Sequence, residues 1–208
     1  YLVPTPDFLF ENSFNTFEFC LIQKNFKLLY YDISSVCKIK SFLDYEEKFY
    51  SRKTKYDLKK LAEKKFTIKK NDKIEDLNYI LKKNFKKHCT NPTHNFDEIK
   101  YLVKNLSDNI DYFVLYNNEG TPISSIFLFY ITNNSASLFY ISQDPNYQSQ
   151  RSITFLIDHV LKYLFKKDCL IIDFGTSSVK NIPRPSLFDF KEKFNTLGYF
   201  RKTFYWKK

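Results

Sequence analysis

An aspartate that closes an apolar run is the residue of this 208-residue chain best placed to do chemistry. Cys169 to Phe174 (CLIIDF) is a nearly continuous apolar stretch that reads as a buried strand. Asp173 stands at its end, with Gly175, Thr176 and Ser177 on the loop that follows. A carboxylate there lies where the crevice of a parallel strand pair opens, so it can orient or deprotonate a ligand. It can equally tie down its own turn through an Asx-type hydrogen bond. Lys191, in FKEKF (190–194), has two phenylalanines to pin its helix and an ammonium left to meet phosphate, or it is one more surface lysine. Arg52 is a comparable candidate for an anionic group, because a guanidinium binds phosphate bidentately. His94, in PTHN (92–95), can titrate near neutrality and bond an acceptor, or it can simply begin a helix. Tyr140 reads as core as readily as catalytic. His159, beside an apolar helix face, reads as structural, and His88 as exposed.

Elements with a clear periodicity must position these side chains. Phe26 to Ile33 and Val36 to Ile39 read as short strands, and 45–65 as one basic helix with a solvated face. Phe66 to Lys69 reads as a strand, and Ile74, Leu77, Leu81 and Phe85 mark one helix face. Asn95 caps a second helix with Asp97 and Glu98 in its first turn and Ile99, Leu102, Val103 and Leu106 as its apolar stripe. Three extended runs follow, 112–116, 123–131 and 136–142, joined by turns at 117–121 and Asn133-Asn134, as in an antiparallel meander. Ile153, Leu156, Ile157, Val160, Leu161 and Leu164 have helical spacing before the CLIIDF strand, so the two strands flanking this helix should be parallel. Ser186 can cap a short helix through Phe194, and Tyr199 to Trp206 closes the chain as a strand.

Composition narrows the partners. Lys plus Arg outnumber Asp plus Glu by 33 to 23, a net charge of +10, which favours a polyphosphate cofactor, tRNA or a nucleotide-linked sugar, or else describes a solvated surface. The 23 Phe and 16 Tyr imply an aromatic core, and only 3 glycines leave few positions for close backbone approach to phosphate. Cys20, Cys37, Cys89 and Cys169 lack C-x-x-C spacing and neighbouring His, which points to reduced thiols and no metal. Nothing resembles a signal peptide, and no apolar run nears the roughly 20 residues that span a bilayer, so a cytoplasmic location is expected. The chain has no Met, and its N-terminus is read as artificial.

The order from Phe66, β-α-α-β-β-β-α-β-α-β, resembles the GNAT acyltransferases. RKTKYDLKKLA (52–62), PTHNFDE (92–98), YIS (140–142), IDFGTSS (172–178) and FKEKF (190–194) look like segments of the FemAB-like branch, in the same order. DISSV (32–36) is similar to a further pattern of that branch, so the resemblance covers nearly the whole chain. It implies an α/β (α+β) fold: a mixed, mostly antiparallel sheet flanked by helices. Residues 46–208 would form the GNAT-like domain, and 1–45 a strand-rich segment, a remnant of a first such unit. It implies a splay between the strand at Ala136 and that at Cys169, with acetyl-CoA or another acyl-CoA threaded along Ile141 and Ser142. The pyrophosphate would meet the start of the helix near Ser152, where Gln148, Ser149, Gln150 and Arg151 add amide, hydroxyl and guanidinium donors. The glycines usual in that loop are missing here. In this picture Asp173, His94 and Tyr140 are the catalytic candidates, and Ser177, Lys191 and Arg52 the substrate-binding ones.

Three functions compete. The first is an N-acyltransferase, most readily an N-acetyltransferase, acting on an amino sugar or glycan precursor of cell-surface polysaccharide. The second follows the FemABX enzymes, which take aminoacyl groups from tRNA for peptidoglycan-like bridges; the basic helix favours it, whereas those enzymes carry two GNAT-like units. The third is a non-catalytic binding module with a decayed cofactor site.

Overall fold

The computed structural model describes residues 1–9 and 15–206. Its main sheet has seven strands in the order β2-β3-β4-β5-β6-β1-β9. They are β1 (Lys27–Lys38), β2 (Thr67–Lys70), β3 (Ile110–Tyr116), β4 (Pro122–Thr132), β5 (Ser135–Gln143), β6 (Ile171–Thr176) and β9 (Thr196–Tyr205). A two-stranded hairpin, β7 (Ser178–Val179) and β8 (Ile182–Pro183), follows β6. The helices are α1 (Asn15–Gln23), α2 (Phe42–Lys48), α3 (Arg52–Ala62), α4 (Ile74–Lys87), α5 (Phe96–Asn105), α6 (Ser152–Phe165) and α7 (Pro185–Glu192). The pairing is antiparallel for β1 with β6 and β9, and for β3 with β2 and β4. The parallel pairing of β5 with β6, Ser135↔Ile171 to Ser137↔Asp173, agrees with the crossover expected through α6.

The chain divides into two compact units. The first comprises residues 1–49, 131–137 and 168–208. At its centre β1 runs between β6 and β9, pairing Val36 with Asp173 on one side and with Leu197 on the other. The two short strands expected near residues 26–39 are therefore one. The register to β6 shifts between Ser34 and Val36, where a bulge carries Ser35 and bends the strand without breaking it. Phe8, Leu9 and Val36 form its small core, with Ile171 and Tyr199 packed against them.

The second unit comprises residues 50–130 and 138–167. Leu77, Leu81, Ile99, Tyr112, Val114, Phe127 and Tyr140 share its core, the aromatic-rich interior that composition implied. β3 is buried at all seven positions, as a strand covered on both faces must be. Asn95 caps α5 reciprocally: its Oδ1 accepts from Glu98 N at 2.9 Å, and its own N–H donates to Glu98 Oε2 at 2.7 Å.

Two helix starts differ from expectation. The basic helix expected over 45–65 is split, because Ser51 begins a new one: its Oγ accepts from the Thr54 N–H at 3.2 Å and satisfies a first-turn donor. The last helix begins at Pro185 with Arg184 at the cap, not at Ser186, since proline's fixed φ suits the first helical position.

Candidate functional site

Asp173, Ser177 and Lys191 come together in the first unit, among residues that sequence reasoning left out. β6 buries Asp173 to 1% exposure. Its Oδ1 accepts from Gly175 N at 2.8 Å, the Asx-type bond anticipated for the turn, and Gly175 adopts the left-handed conformation (φ 74°) that glycine meets at least cost. Its Oδ2 holds Arg201 Nη2 at 2.8 Å and Ser137 Oγ at 3.4 Å. Arg201 Nε donates to Ser34 Oγ at 3.2 Å, and the guanidinium lies 5.7 Å from the Phe8 ring centroid. Ser177 is bonded through Oγ to Ser35 Oγ at 3.0 Å, and its N–H donates to Ile33 O at 2.7 Å.

Lys191 is turned inward rather than toward an open acceptor side. It is 4% exposed, and its Nζ donates to Gly175 O at 2.8 Å and Thr176 O at 2.9 Å. Burial brings its ammonium down from 10.5 to about 8, against the opposing pull of the Asp173 charge. Burial likewise pushes the Asp173 carboxyl above the usual carboxylate range, opposed by Arg201, the Gly175 N–H, Lys191 and Ser137. Two cations therefore face one carboxylate in this cluster. Arg201 was missed because it stands beside Lys202 among the aromatics of the last strand, YFRKTFYW (199–206), where nothing local separates one cation from the other.

In the second unit His94 and Tyr140 meet. The Tyr140 hydroxyl accepts from His94 N at 3.1 Å and lies 3.2 Å from His94 Nδ1, while Phe85 and Phe139 flank the tyrosine ring. Arg52 is exposed in the first turn of α3. Ile141 is half-buried; Ser142 is 1% exposed, and its Oγ has no hydrogen-bond partner among the described residues.

Two of the donors expected to cradle a pyrophosphate, on Ser152 and Arg151, are already engaged. Ser152 is fully buried, with its Oγ bonded to Ser124 Oγ at 2.7 Å and to Gln143 Nε2 at 2.8 Å. Gln148 Oε1 accepts from Lys87 Nζ at 2.7 Å, and Arg151 Nη2 pairs with Asp57 at 3.0 Å. Gln150 offers its carbonyl to Lys64, and Ser149 is exposed. Arg151 takes the left-handed conformation (φ 53°) where a glycine would be unstrained. The Arg151 guanidinium and the Ser152 hydroxyl are thus committed to other partners, whereas Ser149 is exposed and Gln148 and Gln150 are engaged through oxygens that accept. Among the described residues no group of His, Cys, Asp and Glu could hold a metal ion, and no helix is long and apolar enough to cross a membrane.

The strand order, with the parallel pair of β5 and β6 and its crossover through α6, defines a GNAT fold of the FemAB-like form. FemX superposes with a TM-score of 0.72 at 11% identity, over 95% of this chain and 68% of FemX. The structure of L-PGS from Bacillus licheniformis matches at 0.66 and 9% identity, over 90% of this chain and 64% of that one. The C-terminal domain of an assigned lysylphosphatidylglycerol synthetase from Agrobacterium fabrum matches at 0.61 and 15% identity, over 85% and 60%. The likeness to these proteins is one of fold. No sequence-family model and no curated protein matches the chain.

Proposed function

We propose that the chain is a transferase that moves an acyl group from an activated carbonyl to an amine, with Arg201 at the reacting centre. The observation that carries this reading is the surplus of positive charge around Asp173. Arg201 retains 28% side-chain exposure, and its Nη1 makes no hydrogen bond among the described residues. A carbonyl under attack develops negative charge on oxygen, and a fixed guanidinium in a poorly solvated setting stabilises it without reorganising. Asp173 is too buried to meet a substrate; it acts as a positioning residue that aims Arg201, while Lys191 holds the loop behind it. The new N–C bond forms as the donor's C–O or C–S bond breaks, and the amine's proton leaves on that oxygen or sulfur.

For the donor, the engaged side chains at Gln148, Arg151 and Ser152 favour an aminoacyl ester of tRNA over acetyl-CoA, and the basic exposed face of α3 suits a phosphate backbone. The FemAB resemblance supports an acceptor amine carried by a cell-surface precursor. The test is a single-turnover assay with labelled aminoacyl-tRNA and labelled acetyl-CoA in parallel, over a panel of peptide and amino-sugar acceptors. Transfer from tRNA is expected, with Arg201→Gln slowing it by about 10²–10³-fold, as removal of an oxyanion donor does. Transfer from acetyl-CoA alone would replace the donor assignment, and consumption of neither donor would replace the enzyme with a binding module.

A further inference from the structure

Behind the last turn of α4 lies an open cavity of about 310 Å³, lined among others by Lys82, Phe85, Lys86, Cys89, Asn91 and Pro92. Of these only Phe85 touches a site described above, through its contact with the Tyr140 ring. Lys82 and Lys86 stand one helical turn apart on the same face, and both are exposed. No carboxylate lines the cavity. Phe85 presents one side to it and is fixed by edge contact with Tyr140, ring centroids 6.0 Å apart at 86°.

A helix C-terminus ordinarily repels anions. Here its last carbonyls are covered from behind: Phe85 O accepts from His88 N at 3.0 Å and Thr90 N at 3.2 Å, and Lys86 O accepts from Cys89 N at 3.2 Å. In that wrap Cys89 takes the left-handed region (φ 51°), which a non-glycine residue adopts at a cost. Beyond this turn Asn91 and Pro92 complete the lining that the two lysines share.

The lining thus joins two cations, one aromatic face, one proline ring and one amide with both donors and an acceptor. We propose that this cavity is a mononucleotide site, holding phosphate on Lys82 and Lys86, the base against Phe85 and Pro92, and a base edge on Asn91. The volume sits at the small end of ligand cavities, about 300–1,000 Å³, and so suits one nucleotide unit. The site extends the transferase reading, because coenzyme A and the 3′ end of tRNA both carry an adenine nucleotide.

Cys89 provides a local reporter, with the other exposed thiol, Cys20, as internal reference and with Cys37 and Cys169 buried. The chain is treated with a maleimide in the presence of AMP, UMP or inorganic phosphate, and each cysteine's labelling rate is read by peptide mass spectrometry. A nucleotide is expected to slow Cys89 roughly tenfold at ten times its Kd, with Cys20 unaffected. Lys82→Gln with Lys86→Gln should move the protection curve to about tenfold higher nucleotide concentration, and Asn91→Asp, which adds a negative charge, should abolish protection. Both variants change exposed positions, and an unchanged melting temperature confirms that they fold. No protection by either nucleotide, equal protection by inorganic phosphate, or protection that survives both variants would overturn the proposal. Coenzyme A and deacylated tRNA serve as further arms: protection by the first alone assigns the cavity to a thioester donor, and by the second alone to an ester donor. Labelling reads binding without turnover. Transfer that persists without protection therefore sinks this site only, and protection without transfer sinks the transferase reading only.

Discussion

Replacing Lys191 by Met should change how stability depends on pH as well as stability itself. The ammonium is 4% exposed, and burial lowers it from 10.5 to about 8. Between those values the unfolded chain binds the proton and the folded chain does not, so stability rises with pH through the window. The gain is complete only above 10.5 and is lost as pH falls through about 8. A depression of this size corresponds to roughly 3 kcal/mol in full, of which about 2 kcal/mol falls between pH 7 and pH 9.5. Lys191→Met removes this proton and also leaves the carbonyls of Gly175 and Thr176 without their donor, a loss of about 1–3 kcal/mol for each group left unsatisfied. Other groups titrate in the same range, so the readout is the difference between wild type and variant. Urea unfolding of both proteins at several pH values from 7 to 9.5 measures it. The wild type should gain about 2 kcal/mol on the variant across the range. Parallel profiles would refute the reasoning, because they would mean that the Lys191 amine is solvated in the folded state.

Arg201→Met should cost about 3–5 kcal/mol in denaturant unfolding, because Asp173 would keep a buried charge without its ion-pair partner, and adding Asp173→Leu should recover much of that loss. Asn95→Ala removes the cap acceptor of α5 and should lower stability by about 1 kcal/mol, seen as a lower melting temperature and faster amide exchange at Glu98, whose N–H loses its partner.

How much could be read in advance depended on the range of the interactions. The capping box at Asn95 spans three residues, and the Asx turn at Asp173 spans two; local chemistry of that kind is written in adjacent letters. The single β1 was hidden by a bulge that interrupts the strand pattern at Ser34 and Ser35. The break between α2 and α3 was hidden by a run of charge that masked the Ser51 cap.

The sequence by itself determined the succession from β2 to β6, the parallel crossover through α6, the aromatic core and the place of Asp173 in a buried strand, although β6 runs on past it to Thr176. These follow from periodicity, capping and apolar runs, which act over one or two turns of chain. Only the tertiary structure decided that β1 runs between β6 and β9. That insertion brings Ser34 to Arg201 across 167 residues and Arg201 to Asp173 across 28. It also decided that Lys191 faces inward onto two carbonyls, and that in the loop before α6 Lys87 donates to the Gln148 side-chain carbonyl oxygen and Asp57 accepts from Arg151. Partners so distant in sequence are chosen by which backbone and side-chain groups burial leaves unsatisfied, and no local pattern records that choice.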